Sequence, residues 1–245
     1  MKIKQRAGTG PCLAELKIEF KRNANPAKAA ILSRFFKTGK GEYAQGDRFL
    51  GLTVPQTRLL ACKFRGLPDK AAISLLRSPW HEERLCALLM LTDNFRRADE
   101  NKKGGIYREY ISNTRFINNW DLVDLTAPEI VGGWLKDKSK KPLFKLTRSG
   151  LLWERRIAVL ACFNFIKDGE SGTPLAIARK LLNDKEDLIH KAVGWMLREV
   201  GKRCSKKILL DFLKTNYSRM PRTALRYAIE HFPDKKRKAI LSGKF

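Results

Sequence analysis

The chain has 245 residues, 43% of them apolar, and carries 50 Lys and Arg against 25 Asp and Glu, a formal net charge of +25. That length allows one large domain or a continuous repeat array, and the apolar share is enough for a sizeable core, which excludes a disordered chain. Cations are spread from Lys2 to Lys244, so the expected partner is a distributed polyanion, nucleic acid before an anionic membrane, because a phosphate backbone rewards scattered cations through counterion release.

The start, Met1-Lys2-Ile3-Lys4-Gln5-Arg6, has charge with no apolar core behind it, and no secretory signal is read there. Residues 1-22 are expected as a partly flexible N-terminal segment of a single α-helical repeat domain covering 1-245. Thr38 to Gly51 carries four glycines together with Lys40 and Arg48. It reads as a flexible loop between an N-terminal helix pair and a helix that Pro55 opens. Gly39-Lys40 resembles a phosphate-binding loop only superficially, since Gly41 follows where Ser or Thr is required.

Further on, apolar residues recur at spacings of three and four, as in Leu85, Leu88 and Leu89 or Ile157, Leu160 and Ala161. This is helical periodicity. Gly and Pro breakers arrive every 12 to 20 residues and alternating strand patterns are absent, so the fold is expected to be all-α with about a dozen helices. The longest apolar stretches, such as Leu85 to Leu91, fall far short of the ~18 residues of a membrane span. Cys86 and Cys162 sit inside apolar runs as small core residues, and five scattered cysteines without a C-x-x-C pair fit reduced thiols in a cytoplasmic protein.

Five helix centres align by their apolar pattern, beginning at Arg84, Trp120, Arg156, Lys191 and Arg222, with intervals of 36, 36, 35 and 31 residues. The spacing suits helix pairs joined by turns, as in HEAT-like helical-repeat solenoids with a concave basic groove. In that register Trp120 and Arg156 share one position while Asp124, Trp195 and Arg226 share another. The cations would form a track for a duplex backbone, with Arg84, Lys191, Arg198 and Arg222 as the expected phosphate contacts.

No metal site is expected, because His81, His190 and His231 are far apart and His81-x-Glu83 lacks the downstream cysteines of a zinc deaminase. Asn118-Asn119-Trp120-Asp121-Leu122-Val123-Asp124 is more informative. It sets an indole and a carboxylate at i, i+4 in a strongly basic chain. Tryptophans at helical spacing are usually core, and Asp121 suits the positive end of a helix beside an Asn cap. Asp124 lies further in, so its position alone leaves a structural and a functional role equally open.

The stretch 118 to 124, Leu152-Trp153-Glu154-Arg155-Arg156, and His190-Lys191-Ala192-Val193-Gly194-Trp195-Met196-Leu197-Arg198-Glu199 resemble three signature stretches of AlkD-type DNA alkylation repair glycosylases. The likeness runs from about Asn25-Pro26 to Phe232. It implies a HEAT-like fold and removal of cationic alkylpurines, such as 7-methylguanine and 3-methyladenine, from duplex DNA. It also implies that Asp124 is the catalytic carboxylate, Trp120 and Trp195 the aromatic walls, and Arg156 a cation positioning the backbone near the lesion. Phe35 falls where some members place a tyrosine, keeping the ring and losing the hydroxyl.

The chemistry is coherent on its own terms. A purine alkylated at a ring nitrogen is cationic and leaves as a neutral base without a general acid, while the sugar takes up positive charge. A carboxylate with a reference pKa of ~3.9 is ionised at neutral pH and can face that charge. No metal or organic cofactor is then required. The expected protein is a monomer in the cytoplasm, associated with the nucleoid when bound to DNA. The alternative is a non-catalytic HEAT-like module binding nucleic acid or a protein.

Overall fold

The computed structural model describes residues 11–245. The charged start, and with it the first part of the 1-22 segment expected to be partly flexible, lies outside the described residues. Among the described residues every regular element is helical, and the one β-type pairing is an isolated bridge between Arg48 and Trp80, as the all-α reading expects.

Contacts group the chain into two compact units, Met1–Leu122 and Val123–Phe245. The first holds α1 (Leu13–Arg22), α2 (Pro26–Phe35), α3 (Val54–Lys63), α4 (Asp69–Leu76), α5 (His81–Arg97) and α6 (Glu100–Ser112). The short α7 (Trp120–Asp124) carries the chain from one unit into the other. The second has a π-helical turn at Pro128–Gly132, then α8 (Gly133–Leu135), α9 (Lys141–Leu146), α10 (Leu152–Lys167), α11 (Gly172–Leu181), α12 (Asp187–Arg203), α13 (Lys206–Asn216), α14 (Arg222–Ala228) and α15 (Asp234–Leu241).

Local chemistry explains where several of these helices begin. Asn25 caps α2 just before Pro26, and Thr53 caps α3 in a reciprocal box with Gln56, with Pro55 in the first turn. Pro55 opens α3 as expected and Pro26 opens α2 in the same way, since a missing N–H costs nothing in a first turn.

In the first unit α3, α4 and α6 all pack on α5, which buries 12 of its 17 residues. Its first turn is buried although it reads His81-Glu82-Glu83-Arg84, so these polar groups need partners in the interior. His81 Nδ1 lies 3.0 Å from Asp47 Oδ2 and its Nε2 2.9 Å from Asp121 Oδ2. Arg84 donates to the other oxygen of Asp47 and, at 3.0 Å, to the Ser78 carbonyl. Glu82 accepts backbone N–H groups from Leu50, Gly51 and Leu52 at 2.9, 2.7 and 3.2 Å.

Two expectations are corrected here. Arg84, placed on the phosphate track by its register, is 4% exposed and committed to Asp47 and Ser78, because an uncompensated buried guanidinium would be costly. The loop to Gly51 is also no loose connector at its far end. Besides Glu82, the Arg48 carbonyl accepts from His81 N–H and the Leu50 carbonyl from Asn25 N–H, both at 2.8 Å. Gly51 has φ +93°, and a Cβ there would lie 2.1 Å from the Asn25 carbonyl oxygen, so only glycine fits.

Burial pushes the His81 imidazole towards neutrality, but the charges and hydrogen bonds of Asp121 and Asp47 outweigh it and raise its pKa to about 9. Asp47 is raised by burial and lowered further by His81 and Arg84, for a net fall below the usual carboxylate range.

The second unit stacks helices in register. α10, α12 and α14 lie side by side, with α11 against α10 and α12, and α13 against α12. Two glycines allow close approach. A Cβ on Gly132 would meet the Ala161 carbonyl at 2.4 Å and Asn164 Cβ at 2.7 Å, and one on Gly194 would meet the Ala224 carbonyl at 2.5 Å and Tyr227 Cβ at 2.6 Å. In both cases the neighbour offers a carbonyl and, three residues on, a side chain, so the same helix contact is built twice. Cys86 and Cys162 are core residues as expected, at 0% and 1% exposure.

Gly194→Ala is expected to cost about 1–3 kcal/mol by overpacking, lowering the melting temperature by roughly 2–4 °C for each kcal/mol. Gly150→Ala, where a Cβ meets nothing within 4 Å, should melt like the parent in the same calorimetric scan. A second expectation concerns pH. Because the folded His81 pKa lies above the unfolded 6.5, its contribution is complete below about pH 6.5 and is lost as pH rises through about 9. Melts between pH 6 and 9.5 should therefore lose a few kcal/mol that His81→Gln does not lose; parallel curves for the two proteins would refute the doubly paired imidazolium.

Candidate functional site

A helix of five residues cannot hold itself, since nucleation is costly and isolated helices need on the order of 12 residues. α7 is held by its side chains. Asn119 Oδ1 accepts from Trp120 N–H at 2.9 Å, and Asp121 joins Leu122 N–H to His81. Nothing in the local sequence signals the ion pair of Asp121, for its partner lies 40 residues upstream.

In the first unit Trp120 closes a column of rings. Phe49 stacks on His81 with centroids 4.5 Å apart, His81 faces Phe36 at 5.1 Å, and Phe36 stacks on Trp120 at 5.1 Å and 23°. Phe35 meets the Trp120 ring edge-on at 6.0 Å and is 61% exposed. A cation between two aromatic faces is favourable, and each offset or edge contact adds ~0.5–1.5 kcal/mol beyond its area. The indole is therefore fixed from within the unit, with the exposed Phe35 ring beside it.

In the second unit Asp124, the last residue of α7, receives a two-pronged guanidinium. Arg156 donates from Nε to Oδ1 at 2.8 Å and from Nη2 to Oδ2 at 2.7 Å, while its Nη1 donates to the Leu188 carbonyl. The Arg156 side chain is 6% exposed and that of Asp124 15%. The expected backbone-positioning role of Arg156 thus gives way to another. Its donors point at a carboxylate and a carbonyl, and the third bond locks the fork. A carboxylate offers about four acceptor directions, and the fork uses two. The fork fixes the orientation of the Asp124 carboxylate, and part of that side chain reaches solvent.

Trp195 on α12 meets Phe163 of α10, centroids 6.3 Å apart, and cations of Lys167 and Arg203 lie over Phe163 at 5.5 and 5.2 Å. The structure thus pairs Asp124 with Arg156, Trp120 with Phe35, and Trp195 with Phe163.

The expected phosphate contacts divide in the same way. Lys191 is 41% exposed and bonds Asp187 at 2.8 Å, an i, i+4 pair that holds the Asp187 carboxyl below its usual range. Surface pairs of this kind are worth ~0–1 kcal/mol, so a phosphate can displace the carboxylate. Arg222 is exposed and donates to the Leu241 carbonyl at 2.8 Å. Arg198 is mostly covered and paired with Glu230 and Glu199.

Residues missed in the sequence are Phe36, His81 and Asp47, which back Trp120 through the ring column, and Glu82, which holds the loop before α3. The one visible signal was four polar residues opening a helix that turns apolar at Leu85. Among the described residues there is no group of three or more His, Cys, Asp or Glu able to hold a metal ion, and no helix is long and apolar enough to cross a membrane.

The chain resembles a solved structure described as a predicted DNA alkylation repair enzyme from Enterococcus faecalis, at 17% identity and a TM-score of 0.66 over 86% of this chain and 97% of that one. At that identity the likeness establishes the fold. No curated protein matches significantly. The family model described as DNA alkylation repair enzyme matches residues 16–232, nearly the whole described chain. The protein belongs to the DNA alkylation repair enzyme family.

Proposed function

We propose that this protein is a monofunctional DNA glycosylase that hydrolyses the N-glycosidic bond of cationic N3- or N7-alkylated purines, 7-methylguanine and 3-methyladenine among them, in duplex DNA. The observation that carries the proposal is the Asp124–Arg156 fork: an oriented, partly exposed carboxylate in a chain of net charge +25. A carboxylate held where a phosphate polymer binds repels the ligand, and its retention makes sense when positive charge develops beside it.

The alkylated base already carries that charge and leaves as a neutral molecule. As the C1′–N bond lengthens, the electron pair goes to the base and the sugar becomes oxocarbenium-like. Asp124 faces that charge and accepts a proton-bearing water, whose oxygen adds to C1′ while its proton passes to solvent. Arg156 fixes the orientation of the carboxylate plane. Aromatic rings such as those of Trp120 and Phe35 suit cationic sugar or base character, each such contact being worth ~0.5–2 kcal/mol. Lys191 and Arg222 supply phosphate contacts, each released counterion adding to a salt-sensitive affinity. No step calls on a metal or an organic cofactor, and the enzyme acts as a monomer on nucleoid DNA.

The same fork favours a second reading. A carboxylate with both oxygens paired can be a structural ion pair, which would leave a non-catalytic module that binds nucleic acid or a protein. Incubating the protein with methylated duplex DNA and separating released bases by chromatography distinguishes the two. Free 7-methylguanine is expected, with no release of a neutral base such as uracil; tight DNA binding without release favours the module.

Asp124→Asn should keep duplex binding and lose about 100-fold or more in base release, by analogy with removal of one preorganised electrostatic contact. Arg156→Ala, which strips Asp124 of its fork, should weaken excision more than duplex binding. Arg156→Lys retains the charge and loses the fork, and should lower the single-turnover rate about tenfold or more; a rate equal to the parent's would show that orientation of Asp124 is irrelevant.

A further inference from the structure

A cavity of about 330 Å³ opens in the second unit where the end of α12, the start of α13 and the residues after α14 meet. It contains neither Asp124 nor Arg156. Its polar wall carries Arg198, Lys202, Lys206 and His231, and its apolar wall is formed by Leu209 and Phe232. The cavity exists because Gly201 lets α13 come close: a Cβ at that position would lie 2.4 Å from Leu209 Cδ2.

Charge narrows what can fill it. Arg198 is met by Glu230 and Glu199, and Glu199 by Arg203, so those charges are balanced. The ammonium groups of Lys202 and Lys206 form no ion pair among the described residues and share the rim with His231, an imidazole that can add a donor. Two unmatched positive charges and a free imidazole call for a doubly charged, oxygen-rich anion, and a monocarboxylate would leave one charge unmet. Phe232 and Leu209 call for a flat apolar body attached to it. The volume is at the lower end of the ~300–1,000 Å³ range of small-molecule sites, which admits one nucleotide and excludes a dinucleotide cofactor.

We propose that this cavity binds a phosphomonoester on a flat heterocyclic group, the chemistry of a nucleoside monophosphate, with the phosphate on Lys202 and Lys206 and the ring against Phe232. Such a group reaches the protein from two sources, a free mononucleotide or the 5′-phosphorylated end of a DNA strand. The site stands apart from the excision chemistry and does not depend on it.

The test is a titration of the ¹⁵N-labelled full-length protein with adenosine monophosphate, adenosine and inorganic phosphate in turn. The monophosphate should shift the amide signals of Gly201, Leu209 and Phe232 saturably, and bind at least tenfold more tightly than either part alone. Lys202→Gln with Lys206→Gln, surface changes that leave the apolar wall intact, should weaken it tenfold or more. Phe232→Leu, which keeps the wall apolar without a ring, should bring the monophosphate down to the affinity of phosphate. Competition by DNA hairpins with a 5′-phosphate or a 5′-hydroxyl then assigns the source: preference for the phosphorylated hairpin identifies a strand end, and equal competition identifies the free nucleotide. Absence of saturable shifts at these residues, equal affinity for phosphate and monophosphate, or indifference to the lysine changes would overturn the proposal.

Discussion

A protonated imidazole shared by two carboxylates organises the first unit. Asp47 belongs to the loop before α3, His81 opens α5 and Asp121 lies in α7, so one buried ring ties together three places far apart in sequence. With Arg84 on the outer oxygen of Asp47, the cluster has two cations and two anions. That balance is why four polar residues can begin an interior helix. Remove the proton from His81 and two buried carboxylates face one guanidinium. The aromatic column of Phe49, Phe36 and Trp120 is built on the same ring, so the setting of the indole is coupled to the charge of the imidazole.

α7 concentrates this logic in five residues. Asp121 and Asp124 are three positions apart and have opposite fates. Asp121 is 4% exposed and consumed by His81, while Asp124 is gripped by the Arg156 fork and stays partly exposed. Both are near cations. What separates a structural acid from a candidate reactive one is the geometry of its partner: an imidazole in the interior for the first, a planar fork locked by the Leu188 carbonyl for the second.

The helices were legible because periodicity and breakers are local properties, and Pro26 and Pro55 marked starts that the structure has. The repeat register was legible too, but it carried less than expected. It put Arg84, Trp120, Arg156, Lys191 and Arg222 at helix centres, where the structure has them within the first two turns, and a register does not say which way a side chain turns. Arg84 and Arg156 turn inward to carboxylates, while Lys191 and Arg222 face outward. Trp120 and Asp124 stand out in the sequence as an anomaly of charge. Their supports were not, because Asp47 with His81, Glu82 with residues 50 to 52, and Arg156 with Asp124 are pairs separated by about 30 residues or more, and spacing at that range has no sequence signature.

The three N–H groups collected by Glu82 also determine where this chain can change length. Between Arg48 and Leu52 the backbone of Arg48, Leu50, Gly51 and Leu52 is bonded to His81, Glu82 or Asn25, and the tight approach at Gly51 leaves no slack. One added residue there would shift every donor past its acceptor. A few residues earlier, a Cβ at Gly41 or Gly46 would meet nothing within 4 Å. Upstream of Asp47 is therefore the natural place to lengthen the loop or to graft a reporter peptide: the chain can be spliced there without unfastening α5.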